Sequence, residues 1–460
     1  MADNAEKKLN DVPFRITDPE QIPAKRYYDE EFFKLEQELL WPHVWQMACR
    51  LEQIPNIGDY VEYRILEKSV IVVRTSSGVK AFHNACRHRG VELVNGHGNC
   101  KKQGFVCPFH GWRFNIDGES TFVFGKKIFS EKSLEQAELN LVPCRVELWA
   151  GCAFINFDDE APALLDCLGP VAERLSARNA EDLKMEWWCS TVLPTNWKLA
   201  MEAFQEGYHT MKTHPQLNIN MGPESMYGQD AEVPSPRPPE TAEAFVDANI
   251  RFMEHLSDGM AGMIHQSEVD IANSLRDMEL PTDVNEAAMA FYGRLNQEIT
   301  DQGRAKGLNV PDLNALAMRG DFSAVEFMFP NYFLLPFFSA MSSYRIRPLT
   351  PETCLFEIWS LAFKTDEEHT PVTEPKHIPY DSTDFPPIPQ QDYGNLPKQQ
   401  RGLHAKGFEY MRLSHKVEGQ LSNYQRVIDG YLAGEDPVKL AKAQQIANGP
   451  FESPIKDIGI

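Results

Sequence analysis

The sequence predicts an α+β protein in which a small all-β domain precedes a larger domain of helices and antiparallel strands. Three changes of pattern along the 460 residues predict this architecture. Over residues 47–158, short alternating apolar runs are separated by Gly, Asn and Asp, as in strands joined by turns. Helical spacing of apolar residues returns at 161–186, and strand-like runs return at 325–364. The chain therefore combines a separate β domain with a mixed domain.

The N-terminal part, residues 1–46, is predicted to be a helical segment that packs on the larger domain. Phe32, Leu35 and Leu39 are spaced as on one face of a helix, and this pattern stops at Pro42. We therefore expect helical structure within the stretch YYDEEFFKLEQELLWPHVW, up to Pro42.

The two domains that follow are predicted at 47–160 and 161–460. The larger domain contains a polar, Met-rich stretch at about 216–320, where apolar residues have helical spacing, so we expect a helical insert. A proline-rich stretch at 371–397 is predicted to be a loop, and a helix is predicted from about Lys398 to Leu432.

Charge and composition restrict the partners and the compartment. The formal net charge of −21 disfavours nucleic acid or an anionic membrane surface as a partner. The chain shows no run of about 18 apolar residues and no apolar leader, so neither a membrane span nor a signal peptide is expected. Nine cysteines without a regular spacing indicate reduced thiols, and we expect a cytoplasmic protein.

Two Cys/His pairs lie in the predicted β domain. The segment CRHRG supplies Cys86 and His88, and CPFHGW supplies Cys107 and His110, with 18 residues between the pairs. Structural zinc fingers usually take a cysteine pair from one limb and a histidine pair from the other. Here each limb contributes one residue of each kind. This suits a two-iron cluster in which both thiolates bind one iron and both imidazoles bind the other.

The spacing C-x-H-x18-C-x2-H resembles a Rieske [2Fe–2S] site. Neutral imidazoles in place of two thiolates favour reduction, and such clusters have potentials of roughly −150 to +300 mV. Gly90 and Gly111 follow the two pairs, where the backbone is predicted to turn tightly around the sulfurs. A zinc-stabilised binding module and a chance pairing of core residues are the alternatives at this point.

A second group of candidate ligands follows in NWKLAMEAFQEGYHTMKTHP. Glu202, Glu206 and His209 are i, i+4 and i+7, so a continuous helix would place them on one face. Carboxylates on an otherwise apolar face are costly unless a group such as a metal ion pairs with them. His214 directly precedes Pro215, so we expect the helix to loosen there and both imidazoles to face one point. Two histidines and one carboxylate are typical of non-haem Fe(II) enzymes that activate O₂.

With both motifs, nearly the whole chain resembles the α (catalytic) subunit of Rieske non-haem iron aromatic-ring-hydroxylating oxygenases. The resemblance implies a Rieske [2Fe–2S] domain and a helix-grip (START-like) catalytic domain with an antiparallel sheet. It implies that His209, His214 and a downstream carboxylate hold a mononuclear Fe(II). The segment PQQDYGNLPKQQRGL identifies this carboxylate as Asp392, and Asp381 and Asp384 are the alternatives in the same predicted loop.

The resemblance also implies an electron route between subunits. Glu206 stands where the family more often has Asp, and it would connect His209 with His110 of a neighbouring subunit. This route requires a ring of at least three subunits, either α3 or α3β3. A separate reductase, with or without a ferredoxin, would pass electrons from NAD(P)H to the cluster. Ala203 stands where many ring dioxygenases carry Asn.

The activity implied by the resemblance is hydroxylation of an apolar aromatic or polycyclic substrate with O₂, in a catabolic pathway. We expect an apolar pocket that includes Phe204 and the strand NYFLLPFF. Arg345 and Arg347 either bind a substrate carboxylate or lie on a solvated sheet face. Two alternatives stay open: a Rieske monooxygenase or O- or N-demethylase with the same iron site, and a Rieske electron carrier without mononuclear iron.

Overall fold

Within the residues described by the computed structural model, the chain divides into two units. These residues are 8–217, 239–260, 262–320, 323–450 and 453–460. The small unit is Leu35–Leu164 with Pro371–Thr373, and the large unit is Met1–Lys34, Leu165–Thr370 and Glu374–Ile460. Part of the predicted insert, 218–238, lies outside the described residues. No described helix is both long enough and apolar enough to cross a bilayer.

The N-terminal segment contains one short helix, which a π-helical turn extends, together with a strand and a 3-10 turn. The pieces are β1 (Gln21–Pro23), a 3-10 turn (Ala24–Tyr27), α1 (Glu30–Leu35) and a π-helical turn (Glu36–Leu40). The Asp29 side chain accepts a hydrogen bond from the backbone N–H of Phe32 at 2.9 Å. This supplies a partner for one of the N–H groups in the first turn of α1 that has none within the helix. The helical pattern does end before Pro42, as the sequence predicts.

The small unit is built from two antiparallel sheets. The strands are β2 (Gln46–Arg50), β3 (Asp59–Ile65), β4 (Lys68–Thr75), β5 (Gly78–His83), β6 (His97–Asn99), β7 (Phe105–Val106), β8 (Arg113–Phe114), β9 (Ser120–Phe122), β10 (Pro143–Trp149) and β11 (Cys152–Asn156), with a short helix α2 (Gln136–Leu139) before β10. One sheet has the order β2-β11-β10-β5-β4-β3-β6, and the other has the order β7-β8-β9. Both Cys/His pairs lie on loops beside these strands, Cys86 after β5 and Cys107 after β7.

The large unit is built around a six-stranded sheet of order β13-β14-β15-β16-β12-β17. Its strands are β12 (Lys184–Leu193), β13 (Glu326–Met328), β14 (Tyr332–Pro336), β15 (Met341–Thr350), β16 (Thr353–Ala362) and β17 (Lys376–His377). All pairings are antiparallel except β12 with β17. Together with the helices described next, this sheet confirms the α+β prediction.

Helices are the other main elements among the described residues of the large unit. They are α3 (Leu164–Leu168), α4 (Pro170–Ser176), α5 (Trp197–Glu202), α6 (Thr210–Thr213), α7 (Ala242–Gly259), α8 (Gln266–Ser274), α9 (Val284–Ala305), α10 (Leu313–Arg319), α11 (Pro387–Gly402), α12 (Gly419–Leu432) and α13 (Pro437–Ala447), with β18 (Tyr410–Arg412) paired to β1. Helix α5 contacts β15, β16 and α11. The sheet and α11 thus support the short helix that precedes His209.

Two predicted helices differ from those observed. The helix predicted over 398–432 is wrong, because α11 begins within the proline-rich stretch and β18 separates it from α12. Pro387 at the first helical position explains the early start, since proline needs no partner for an N–H there. The predicted stripe of Glu202, Glu206 and His209 on one helix is also wrong. Helix α5 ends at Glu202, and the next helix begins only at Thr210.

An aromatic cluster packs on one face of the large sheet. The Phe333 and Tyr344 rings are stacked at 4.7 Å between centroids, and Phe204 lies 4.5 Å from Phe333 and 5.1 Å from Tyr344. Tyr393 of α11 meets Phe356 edge to face at 5.5 Å. Phe204 belongs to the turn after α5, and Tyr393 belongs to α11. Both rings pack on the same face of the sheet, so this turn and α11 lie on the same side of it.

Candidate functional site

The two Cys/His loops of the small unit have the same backbone structure. In the first, the N–H of Cys86 donates to the carbonyl of Val91 at 2.8 Å, and Gly90 donates to the carbonyl of Cys86 at 2.9 Å. In the second, the corresponding bonds run from Cys107 to Trp112 and from Gly111 to Cys107, at 2.8 and 3.0 Å. Gly90 and Gly111 have φ of +75° and +70°, so each turn needs the freedom of glycine.

The four predicted cluster ligands come together as two pairs. The Cys86 and Cys107 side chains are buried and adjacent, and burial, the largest cause, together with the neighbouring Cys107 thiol raises the pKa of Cys86 to about 11. The Nδ1 atoms of His88 and His110 lie 3.1 Å apart at the partly exposed rim. A thiol pair inside and an imidazole pair outside is the donor set that a [2Fe–2S] cluster with one Cys₂ iron and one His₂ iron requires.

Aromatic rings surround the imidazole pair. Trp112 is buried and stacks on His88 at 4.9 Å with an interplanar angle of 10°. Phe109 lies 4.0 Å from His110 and keeps 58% of its surface exposed, and the Arg89 guanidinium lies 5.5 Å from the Phe109 ring. The rim next to His110 is therefore an exposed aromatic and cationic surface.

In the large unit, the turn between α5 and α6 brings the second group of ligands together. The Glu206 carboxylate accepts the backbone N–H of His209 at 2.9 Å and the ring Nδ1–H of His209 at 2.7 Å. His214 follows α6 directly and is 2% exposed. The loosening predicted at Pro215 is observed, since a 3-10 turn begins there.

The structure places His209, His214 and Asp392 around one point. Among the described residues, their ligand atoms form a group in which all lie within 4.8 Å of one another. Asp392 Oδ1 lies 3.0 Å from His214 Nε2 and 3.8 Å from His209 Nε2. Bonds of about 2.1 Å allow a metal to bridge ligand atoms up to about 4.2 Å apart, so both contacts of Asp392 suit a shared ion.

Asp392 lies on a helix rather than in the predicted loop. It is 8% exposed, whereas Asp381 and Asp384 are both exposed to solvent. Helix α11 packs its Tyr393 against the sheet, and this fixes the neighbouring Asp392 near the turn that carries His209. Burial beside the two imidazoles makes Asp392 the carboxylate that suits the site, and the two alternatives do not join it.

Each imidazole is oriented through its second nitrogen. His214 Nδ1 lies 2.6 Å from the side-chain oxygen of Gln391, and the Gln216 amide donates to the same oxygen at 2.9 Å. With Nδ1 of His209 against Glu206 and Nδ1 of His214 against Gln391, both rings turn their Nε2 atoms toward Asp392. A metal ligand needs such an outer partner. The sequence analysis missed Gln391, although its position next to Asp392 is a signal that could have found it.

A cavity of about 720 Å³ opens beside this site. Its wall includes Glu202, Glu206, His209 and Asp392, together with Glu418. Burial and the charge of Glu206 raise the pKa of Glu418, although a hydrogen bond from the backbone of Ser414 opposes them. The cavity wall near the histidines is therefore acidic.

A second cavity of about 290 Å³ lies at the edge of the sheet where β12 meets β17. Its wall combines two aromatic rings, one carboxylate and one ammonium group, and it is completed by apolar side chains and a thiol: Trp187, Phe385, Asp384, Lys376, Cys189, Ile358, Ile378 and Pro386. The Phe385 ring meets Tyr393 edge to face at 5.0 Å. Phe385 thus lies between this cavity and Tyr393, the residue that follows Asp392 on α11.

Neither expectation for Arg345 and Arg347 is correct. Both guanidinium groups donate to Glu357, at 2.8 and 3.1 Å, and all three side chains are largely buried. Burial raises the pKa of Glu357, but the charges of the two arginines outweigh it and hold the pKa below the usual range. The pair is therefore part of a buried ionic network rather than a solvated face or a free carboxylate site.

The sequence matches two protein families. Residues 173–434 match the family described as ring hydroxylating alpha subunit (catalytic domain), and residues 44–123 match the Rieske [2Fe-2S] domain. The oxygenase subunit of carnitine monooxygenase from Escherichia coli (strain K12) is 32% identical over 197 residues, which cover 42% of this chain and 52% of that protein. The oxygenase subunit of glycine betaine monooxygenase from Chromohalobacter salexigens is 32% identical over 197 residues, with 43% of each chain covered. The chain spans about half the length of these curated relatives.

Solved structures of two kinds share the fold. The apo form of the quaternary ammonium Rieske monooxygenase CntA superposes with a TM-score of 0.58 at 18% identity, covering 90% of this chain and 96% of that chain. Naphthalene 1,2-dioxygenase from Rhodococcus sp., bound to indole, superposes with a TM-score of 0.60 at 19% identity, covering 95% and 98%. The two scores are nearly equal, so the fold does not separate their substrate classes.

Proposed function

The chain belongs to the ring hydroxylating alpha subunit family and carries a Rieske domain, and from this we propose that it is the terminal component of a monooxygenase that oxidises a small quaternary ammonium compound at a carbon bonded to nitrogen. The observation that carries the oxygenase function is the convergence of His209, His214 and Asp392 beside a cavity, in a chain that also pairs two thiols with two imidazoles. The substrate class is supported by the relatives that act on carnitine and glycine betaine.

The two cofactors of this family have matching residues in the chain. Cys86, Cys107, His88 and His110 would hold the Rieske cluster, and His209, His214 and Asp392 would hold the mononuclear iron. When bound, the cluster supplies single electrons and the mononuclear iron supplies O₂ activation. The residues around the iron site orient both imidazoles through Glu206 and Gln391 and keep the ligand group largely buried.

Glu206 is the proposed electron connection to a neighbouring subunit. It binds His209 and at the same time lines the 720 Å³ cavity, so a group from another chain can reach it. The acidic wall of this cavity complements the cationic, aromatic rim around His110, where Arg89 and Phe109 are exposed. This complementarity supports a ring of three or more subunits in which the cluster of one subunit serves the iron of the next, with a reductase as the source of electrons.

The 290 Å³ cavity offers the chemistry that a zwitterionic quaternary ammonium compound requires. Trp187 and Phe385 present aromatic rings, which bind a quaternary cation through cation–π attraction, and Asp384 adds a negative charge. Lys376 would pair with the carboxylate of a betaine. The contact between Phe385 and Tyr393 connects this cavity to the segment that carries Asp392. We propose that this cavity admits the substrate.

The proposed reaction balances with one O₂, two electrons and two protons. One oxygen atom enters a C–H bond next to nitrogen, and the other leaves as water. The resulting cationic carbinol then loses its hydroxyl proton and breaks its C–N bond, which releases a tertiary amine, an aldehyde and one proton. Burial of His214 and Asp392 limits the access of bulk water on that side of the proposed iron site.

Ring hydroxylation of an apolar aromatic substrate is the second candidate. It is favoured by Phe204, which lies five residues before His209, is partly exposed, and packs against Phe333 and Tyr344. Such an aromatic wall suits a flat apolar molecule. In that case the enzyme would be a dioxygenase, and both atoms of O₂ would enter the product. Replacing Asp384 or Lys376 would then leave the affinity for the substrate unchanged.

Product analysis under ¹⁸O₂ tests the proposal. Iron-loaded protein with a reductase is given carnitine, glycine betaine and a non-methylated amino-acid control, and in parallel naphthalene and indole. The proposal expects an aldehyde and a free tertiary amine from a quaternary substrate only, with one labelled oxygen in the aldehyde if it is reduced to the alcohol as it forms. A doubly labelled diol from an aromatic substrate would support the second candidate. Cluster reduction without any product would leave an electron carrier, and a colourless protein that holds zinc would leave a binding module.

A further inference from the structure

Glu202 lies in a buried hydrogen-bonded network at the end of α5. The Tyr27 hydroxyl lies 2.9 and 3.0 Å from its two carboxylate oxygens, and the Gln425 amide donates to one of them. Glu202 is 4% exposed and Tyr27 is fully buried. The three residues come from distant parts of the chain, so the tertiary structure has assembled a specific environment for one carboxyl group.

Near neutral pH, the charges around Glu202 are not enough to keep its carboxyl group fully ionised. Burial raises the pKa of Glu202 to about 7, although hydrogen bonds from Gln425 and Tyr27 and the charges of Lys198 and Arg26 oppose it. Arg26 is itself bound to Asp429, which offsets its effect. Burial also raises the pKa of Tyr27 well above its usual value, with the charge and hydrogen bond of Glu202 adding to it, so the tyrosine remains a neutral donor.

The other side of Glu202 faces the iron site. Glu202 lines the same 720 Å³ cavity as His209 and Asp392. The other charged groups on this wall are Glu206, Glu418 and Arg412. A proton on Glu202 therefore has a path through the cavity toward His209 and Asp392.

We propose that Glu202 is the proton source of the iron site, holding a proton that it gives up during O₂ reduction and regaining another through the cavity. The inference rests on the proposed oxygenase function, since each turnover consumes two protons with the two electrons. The O–H bond of the Glu202 carboxyl breaks, the proton moves to the oxygen atom that leaves as water, and Tyr27 and Gln425 stabilise the carboxylate that remains. The electrons come from the reductase.

Hydrogen peroxide separates this role from a structural one. Peroxide brings two electrons and two protons, so substrate and peroxide give hydroxylated product and water without another proton source. In Glu202→Gln, we expect oxygenation driven by O₂ and reductant to fall at least about tenfold, while the peroxide-driven reaction keeps its rate. Glu268→Gln is the matched control, because Glu268 is also a buried, hydrogen-bonded glutamate but lies in α8. It should leave both routes unchanged. Equal loss of both routes, or no loss in either, overturns the proposal.

Infrared titration tests the proton itself without iron or substrate. In metal-free protein, the carbonyl band of a protonated carboxyl should disappear with a midpoint near the pKa of Glu202, about 7. It should be missing in Glu202→Gln and kept in Glu268→Gln. Tyr27→Phe removes a hydrogen bond that stabilises the carboxylate, so its midpoint should move to higher pH, and the alkaline loss of O₂-driven turnover should move with it. If no band depends on Glu202, the proton store does not exist, whichever substrate the enzyme uses. If the band is present and no substrate is oxidised, only the proposed function has failed.

Discussion

Glu206 accepts two hydrogen bonds from His209, one from the ring Nδ1–H at 2.7 Å and one from the backbone N–H at 2.9 Å. This double contact determines which ring nitrogen of His209 faces Asp392, and it stabilises the turn that replaces the predicted helix. Gln391 orients His214 in a similar way, through a single contact at 2.6 Å. The outer partners of the two imidazoles are thus as much a part of the site as the three proposed ligands.

Replacing His214 should remove the mononuclear iron and spare the cluster. In His214→Ala, iron is expected to fall from about three to about two atoms per chain, because one imidazole of the proposed ligand set is lost while the four cluster ligands remain. Metal analysis together with the visible spectrum of the cluster checks this. His43→Ala is the control, since the exposed His43 ring pairs with Asp158 and belongs to neither ligand group. Unchanged iron content in His214→Ala would contradict the assignment.

Replacing a cysteine of the proposed cluster should remove the cluster and spare the mononuclear iron. Cys107→Ala is expected to lose the cluster colour and two irons while the mononuclear iron stays, because the two ligand groups share no residue. Cys100→Ala is the control, as Cys100 is a buried neighbour in the same core that bonds to the carbonyl of Gly58. Iron analysis and electron paramagnetic resonance of the reduced protein measure the outcome. A coloured Cys107→Ala protein would show that another residue holds the cluster.

Glu206→Gln should separate iron binding from electron supply. The amide still accepts a hydrogen bond from His209 but carries no charge, so both iron centres should load while steady-state turnover falls by about 10- to 100-fold. Glu206→Asp, which keeps the charge, should recover part of the rate. A single turnover started from fully reduced protein measures the mononuclear centre alone, and it should keep its product yield if electrons already reside there. Full steady-state activity in Glu206→Gln would contradict the proposed route between subunits.

Changes in the 290 Å³ cavity should alter affinity for cations rather than the rate constant. Trp187→Leu and Asp384→Asn each remove one attraction for a quaternary ammonium group, so each is expected to raise KM by about 3- to 30-fold, with kcat nearly unchanged. Asp381→Asn, at a neighbouring exposed carboxylate outside this cavity, is the matched control. Steady-state kinetics with glycine betaine and carnitine provide the measurement. An effect on kcat alone would place the substrate elsewhere.

The buried ionic network of Glu357 should contribute stability that depends on pH. Glu357→Gln leaves Arg345 and Arg347 buried without their carboxylate, and we expect a loss of about 3–5 kcal/mol in the free energy of unfolding at neutral pH. Because the pKa of Glu357 is lowered in the folded protein, the contribution is present above the unfolded pKa and is lost as pH falls through the folded one. The difference between the two proteins should therefore shrink in acid.

Urea unfolding at several pH values measures this difference. Asp247→Asn serves as the control, because its pair with Arg276 is about 40% exposed and is expected to contribute less than about 1 kcal/mol. A loss that stays the same from neutral to acidic pH would show that the charge of Glu357 is not the source of its effect.

The sequence itself indicated the features that depend on near neighbours in the chain. Cys86 and His88, or Cys107 and His110, are close together because each pair lies on one short turn, so their spacing already reports the geometry of half a site. The change from alternating to helical patterns predicted the α+β class for the same reason, since the period of a strand or helix is local. The predicted role of His209 and His214 depends on six residues of one turn.

Only the tertiary structure decided the relationships between distant segments. Asp392 reaches the histidines because helix α11 starts at a proline and packs Tyr393 on the sheet, which no local pattern indicated. Glu202 was assigned to a stripe with Glu206, yet α5 ends there and Tyr27 and Gln425 enclose it instead. Long-range burial determines which carboxyl groups are costly to ionise, and burial is a property of the packed chain. The sequence by itself therefore determined the kinds of ligand and the family resemblance, whereas packing brought Asp392 to the two histidines and enclosed Glu202 between Tyr27 and Gln425.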